Sequence, residues 1–227
     1  MAYFEGARID SSCWQMDWEG IRRGNYSDRY FHNGVLLLSQ LASEGYRFLS
    51  ERLRAMGLSE CPVIGDMEVT IQIFARREPF TVVAGTDLAL AILQECAGYW
   101  EGARFVHTAH LLEVESVADG ECTPYGGDPS AVVPAMRIRG RYRDFALLET
   151  VILGVLTRMS RIATNTYCLL QASGEKPILF FHARYDLPQT QMMAPWMMPI
   201  CLRCCSTSGA PVPDKPRAGG ACPSLLC

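Results

Sequence analysis

The side chains with the plainest chemical potential stand at the end of a short apolar run. Pro177-Ile-Leu-Phe-Phe181 has the composition of a strand buried on both faces of a parallel sheet, and it leads directly into His182, Arg184 and Asp186. Ligands of open α/β sheets lie beyond the carboxyl ends of the strands, so chemistry is expected at these residues. The planar guanidinium of Arg184 can take a carboxylate or a phosphate in two parallel hydrogen bonds; a surface ion pair with Asp186 is the plain alternative. Thr164 and Asn165 can hydrogen-bond a substrate, or Thr164 can cap a helix. Arg76-Arg77 is a basic pair that also reads as a solvated strand end. His107, His110 and His182 have no metal-ligand spacing with carboxylates. Cys201-x-x-Cys204 and Cys222-x4-Cys227 could close a tetrahedral zinc site, although the second spacing is loose and Cys205 is left over.

Composition narrows the classes. The chain has 227 residues, 49% of them hydrophobic and 20% charged, enough to bury a core. A net charge of −3 gives no electrostatic reason to bind nucleic acid or a membrane surface. No apolar run reaches the roughly 18 residues of a membrane span, and the N-terminus has no signal-peptide pattern, so a cytoplasmic location is expected. Cys13, Cys61, Cys96, Cys122 and Cys168 are scattered without pairing spacing and read as small buried hydrophobes.

The elements that must position these residues follow from periodicity. Residues up to Gly24 show none and read as an arm or loop. Ser27 is placed to cap a helix with Phe31, Val35, Leu38 and Leu41 on one face. A second helix is expected over 44–56, ended by Gly57. Residues 67–74 alternate as a half-exposed strand, with Met67, Val69, Ile71 and Ile73 on one face. Gly85-Thr86 starts a helix that ends near Gly98. Residues 111–118 form another alternating strand, closed by Asp119-Gly120; 123–130 is a loop, and 132–139 returns as a strand. Asp144 is expected to cap a helix whose buried face is Leu148, Val151, Ile152, Val155, Leu156 and Met159. A second helical piece covers 163–172 and stops at Ser173-Gly174. The expected fold class is α+β: an N-terminal open-faced α/β sandwich followed by the first elements of an incomplete α/β barrel. The boundaries are an arm at 1–26, the sandwich at 27–143, linking helices and the first barrel strand at 144–190, and an aberrant tail at 191–227.

Five short motifs, in order, resemble nicotinate phosphoribosyltransferases. Ser27-Asp-Arg-Tyr-Phe31 is similar to that family's SDxYF, and Phe74-Ala-Arg-Arg77 to its FxRR. Gly140-Arg-Tyr142 followed by Glu149-Thr-Val-Ile-Leu-Gly154 resembles its G-x-Y…ETxxLG. Ser160-Arg-Ile-Ala-Thr164 is similar to SGIAT, and Phe181-His-Ala-Arg184 to FGAR. The resemblance implies an enzyme of NAD salvage that joins nicotinate to phosphoribosyl pyrophosphate, with Mg²⁺ and ATP, as a homodimer with shared active sites. It implies substrate-binding roles for Tyr30, Thr164, Arg184 and Asp186, with Tyr30 stacking on the pyridine ring from the neighbouring subunit. The phosphorylated histidine and the rest of the catalytic machinery would lie downstream. Quinolinate phosphoribosyltransferases carry Arg-Thr where this chain has Glu149-Thr150, and a carboxylate there would repel the second carboxylate of quinolinate. Quinolinate or nicotinamide as the base, or a non-catalytic module with a zinc-binding tail, are the alternatives. Two departures stand out: Arg161 replaces a small Gly, which would put bulk at a close helix contact, and His182 replaces the Gly of FGAR.

After Gln191 the composition shifts abruptly to Met, Pro, Cys, Ser and Gly, with no helix or strand period. The minus-one reading frame across 191–201 is nearly determined, because Met and Trp have one codon each. It would encode a more acidic, better helix-opening sequence. A frameshift near 189–191 is therefore expected, leaving a fragment without activity.

Overall fold

The computed structural model describes residues 11–48, 50–57 and 61–174. The Pro177 run, His182, Arg184, Asp186 and the Cys-rich tail lie outside the described residues. In chain order the helices and strands are α1 (Trp18–Arg22), α2 (Arg29–Ser43), α3 (Glu51–Ala55), β1 (Glu68–Phe74), β2 (Phe80–Val82), α4 (Thr86–Cys96), β3 (Gly98–Glu101), β4 (Arg104–His107), β5 (Glu113–Ser116), β6 (Cys122–Pro124), β7 (Pro134–Arg141) and α5 (Glu149–Ser173). The described residues form three open sheets, ordered β1-β7-β5, β2-β6 and β3-β4. Among the described residues no sheet closes into a barrel, and no helix is long and apolar enough to cross a membrane. Helix and sheet mix as an α+β architecture.

The chain divides into two compact units. Among the described residues the first takes those up to Gln72 together with Leu88–Glu115 and Met136–Gly154; the second takes Ile73–Asp87, Ser116–Ala135 and those from Val155. In the first unit β7 is the central strand. Met136 and Ile138 are buried, whereas Arg137 and Arg139 point outward to Glu115, Glu113 and Glu68. These ion pairs are exposed and contribute little; the apolar face does the holding. The segment before Gly24, read above as an arm, holds α1, whose Ile21 is buried; Asp17 caps it by accepting the Gly20 amide.

Five further local expectations are corrected. The helix expected over 44–56 is interrupted, because Gly45 (φ +62°) terminates α2: the Tyr46 amide donates to Leu41 O and the Gly45 amide to Ala42 O, the two bonds of a Schellman motif. Only the five-residue α3 remains, capped by Ser50. Ser27 does not cap α2; the cap position is Asp28, without a side-chain cap bond. Asp144 does not cap α5. Its carboxylate is buried against Arg141 (2.7 and 3.0 Å) within a 3-10 turn, and the helix starts at Glu149. The two helical pieces expected beyond that are one helix of 25 residues. No Pro lies within it, Gly154 is accommodated without a break, and Thr164 fits by donating to the Ser160 carbonyl one turn back. The buried face of α5 does include Ile152, Val155, Leu156 and Met159. Within the loop expected at 123–130, Thr123 and Pro124 instead belong to β6, which pairs antiparallel with β2.

Candidate functional site

The site grows from the start of α2. Gly24 adopts φ +74°, and a Cβ there would meet the His32 ring within 2.6 Å; the His32 Nε2 instead donates to the Gly24 carbonyl at 2.9 Å. Asp28 then donates its backbone amide to Thr150 Oγ1 at 3.2 Å. Tyr30 follows in the first turn. Its side chain is 75% exposed and sits edge-on to Phe31, with ring centroids 5.1 Å apart.

The facing wall comes from the end of β7. Arg141 is held by Asp144 and by Asp66 (3.2 Å), and Arg143 also reaches Asp66 at 2.7 Å. This clamp fixes the turn that carries Tyr142, whose ring packs against Phe145 at 5.7 Å. Tyr30, Phe31, Asn33, Gly34, Leu37, Tyr142 and Ala146 line an open cavity of about 340 Å³. Burial pushes the Glu149 carboxyl above its ordinary value. It also pushes the Tyr142 phenol up, and the charges of Glu149 and Tyr30 add to that rise. An aromatic, uncharged lining of this kind can cover a flat ring, but it carries no cation to neutralise a phosphate. Thus Tyr30 from one motif, and Tyr142 and the Glu149-Thr150 pair from another, lie near one another in the first unit.

Residues 50–160 match the family model described as quinolinate phosphoribosyl transferase, N-terminal domain. Two solved structures share the fold. One is nicotinate-nucleotide pyrophosphorylase from Pyrococcus furiosus, with a TM-score of 0.52 at 20% identity over 80% of this chain. The other is human nicotinic acid phosphoribosyltransferase, with a TM-score of 0.52 at 17% identity over 83% of this chain. The fold is that of a phosphoribosyltransferase N-terminal domain. The chain spans 37% and 38% of the length of these two structures.

In the second unit of this phosphoribosyltransferase fold, the SGIAT-like segment faces β2. Thr164, 1% exposed, accepts the Val82 amide at 3.0 Å and donates to Ser160 O at 2.7 Å; Ser160 Oγ accepts the Ala84 amide at 3.0 Å. Thr81 and Val83 lie on the side of the strand that faces β6, where the Val83 amide donates to Glu121 O. The helix hydroxyls therefore supply acceptors along the other edge of β2. Arg161 is exposed, so the bulk expected at a close helix contact projects outward instead. Of the expected substrate-binding residues, Tyr30 falls in the first unit and Thr164 in the second with its hydroxyl engaged by backbone; Arg184 and Asp186 lie outside the described residues. Arg76 is exposed and stacks on Phe74 at 5.3 Å. Among the described residues no three His, Cys, Asp or Glu side chains gather as a metal site. Sequence reasoning missed Tyr142 as a lining residue and Thr150 as a tether. The G-x-Y and ETxxLG motifs held both, but only tertiary contact gives them roles.

Proposed function

We propose that the chain is the N-terminal part of a cytosolic nicotinate phosphoribosyltransferase of NAD salvage, joining nicotinate to phosphoribosyl pyrophosphate to give nicotinate mononucleotide and pyrophosphate. The observation that carries this reading is that Tyr30 and Tyr142 line one aromatic cavity, with Glu149 near enough to raise the Tyr142 phenol and Thr150 bonded to Asp28 at the start of the helix that bears Tyr30. In this reading Tyr30 covers the pyridine ring in a homodimer, and its exposure is what such a role requires. Glu149 disfavours a second carboxylate on the base. Arg184 and Asp186 bind substrate, and the catalytic groups lie beyond this chain. Mg²⁺ and ATP are the cofactors that the resemblance implies, and the groups that would hold them lie outside the described residues in this reading.

A second reading, a quinolinate phosphoribosyltransferase, draws on the family model matched at residues 50–160. Titration of the purified protein with nicotinate and with quinolinate, each with phosphoribosyl pyrophosphate, separates the two. Tighter binding of nicotinate, with quinolinate affinity raised by Glu149→Gln, is the expected result. Preference for quinolinate in the unaltered protein would establish the second reading.

A further inference from the structure

We propose that Thr150 is a positioning residue for Tyr30. The amide of a helix cap residue is ordinarily satisfied by a Glu or Gln three positions on, the far half of a capping box. In α2 that position is Phe31, which has no acceptor, and the Asp28 carboxylate makes no cap bond either. Thr150 Oγ1, 122 positions away, accepts the Asp28 amide at 3.2 Å and stands in for the missing residue. The tether matters because none of the residues of α2 is fully buried. A helix with an apolar face sunk in a core is held along its length; the first turn of α2 is fixed by this bond and the His32–Gly24 bond together with the packing of α2 against the turns at Tyr142–Asp144 and Ala146–Leu148. Thr150 is anchored in turn, since it lies in the first turn of α5 beside the buried Leu148 and Ile152. Tyr30 is two residues beyond the tether, so the direction of its Cα–Cβ bond follows the orientation of that turn.

The functional weight of this inference rests on the proposed function, but its geometry does not. The test uses the full 227-residue chain as Thr150→Val, which keeps the branched shape and loses the acceptor, and Thr150→Ser, which keeps the acceptor. Three measurements are compared with the unaltered protein: amide hydrogen exchange at Asp28, the NMR ring-proton shifts of Tyr30, and the dissociation constant for nicotinate. Thr150→Val is expected to raise Asp28 exchange about fivefold, to move the Tyr30 ring signals, and to weaken nicotinate binding by a similar factor. Thr150→Ser restores all three. Unmoved Tyr30 signals in Thr150→Val, or a failure of Thr150→Ser to restore them, would overturn the positioning role. An unaltered protein that does not bind nicotinate overturns the functional reading instead, and the ring signals of the ligand-free variants still decide the role of Thr150.

Discussion

The Thr164 hydroxyl holds the Val82 amide at 3.0 Å from across 82 residues of sequence, and both groups are buried. A buried amide without its acceptor costs more than the bond itself is worth, because the group still has to leave water. Thr164→Val should therefore destabilise the protein by roughly 1–3 kcal/mol, and Thr164→Ser should recover most of the loss. Urea unfolding of the two variants checks this. Equal stability of the Val and Ser forms would show that the hydroxyl contributes nothing there.

Gly85 offers a steric test of the same unit. Its φ is +96°, and a Cβ would stand 2.9 Å from Met159 Sδ and 3.1 Å from Val155 Cγ1. Backbone strain and crowding of a buried face act together, so Gly85→Ala should cost about 1–3 kcal/mol. The midpoint of thermal unfolding is the readout. Gly154 is the control: it lies in α5 with nothing near its missing Cβ, and Gly154→Ala should be neutral or stabilising.

Thiol chemistry should discriminate between the cysteines. Burial pushes the Cys96 thiol up to about 12, whereas Cys122 and Cys168 are exposed. The thiolate is the reactive form. At pH 8 iodoacetamide should label Cys122 and Cys168 in the native protein and reach Cys96 only after unfolding. Peptide mapping after a short exposure measures it.

Asp119 gives a pH dependence with a definite sign. Burial raises its carboxyl above the ordinary 3.8, and hydrogen bonds from the Thr86 hydroxyl and amide only partly offset the rise. The folded state therefore holds this proton more tightly than the unfolded chain does. The contribution of Asp119 to stability is largest below the ordinary value, falls as pH climbs through the raised folded value, and is constant above it. Asp119→Asn keeps a carbonyl acceptor for Thr86 and removes the titration, so the decline above pH 4 should flatten in denaturant midpoints measured across pH. A variant with an unchanged profile would refute the assignment.

Much of the fold was legible in the sequence. The alternation of β1 and β7, the helix opened by Thr86 and the buried face of α5 all follow from periodicity, because each has one apolar side set against a core. Gly45 was the missed signal: the expected helix ran through it from residue 44, although a glycine after a helical run is the usual left-handed cap. The strands β2 and β6 are three residues each, too short to show a period of two. Asp144 looked like a cap and became the partner of Arg141, a choice made by tertiary proximity. For the site, a motif pointed to Tyr30, but the proximity of Tyr142 and Thr150 depends on how residues more than 100 positions apart in the sequence fold together.

Helix α2 has a consequence for how substitutions in this chain are interpreted. Leu36 and Leu37 are 64% and 57% exposed, and Tyr30 is more exposed still. Exposed side chains away from special features change stability by at most about 0.5 kcal/mol when replaced. A screen that scores variants by melting temperature or expression would thus pass Leu36→Glu, Leu37→Glu and Tyr30→Ala as silent. Whatever selection shapes this helix is invisible to such a screen, and only an assay of association or ligand binding would register it.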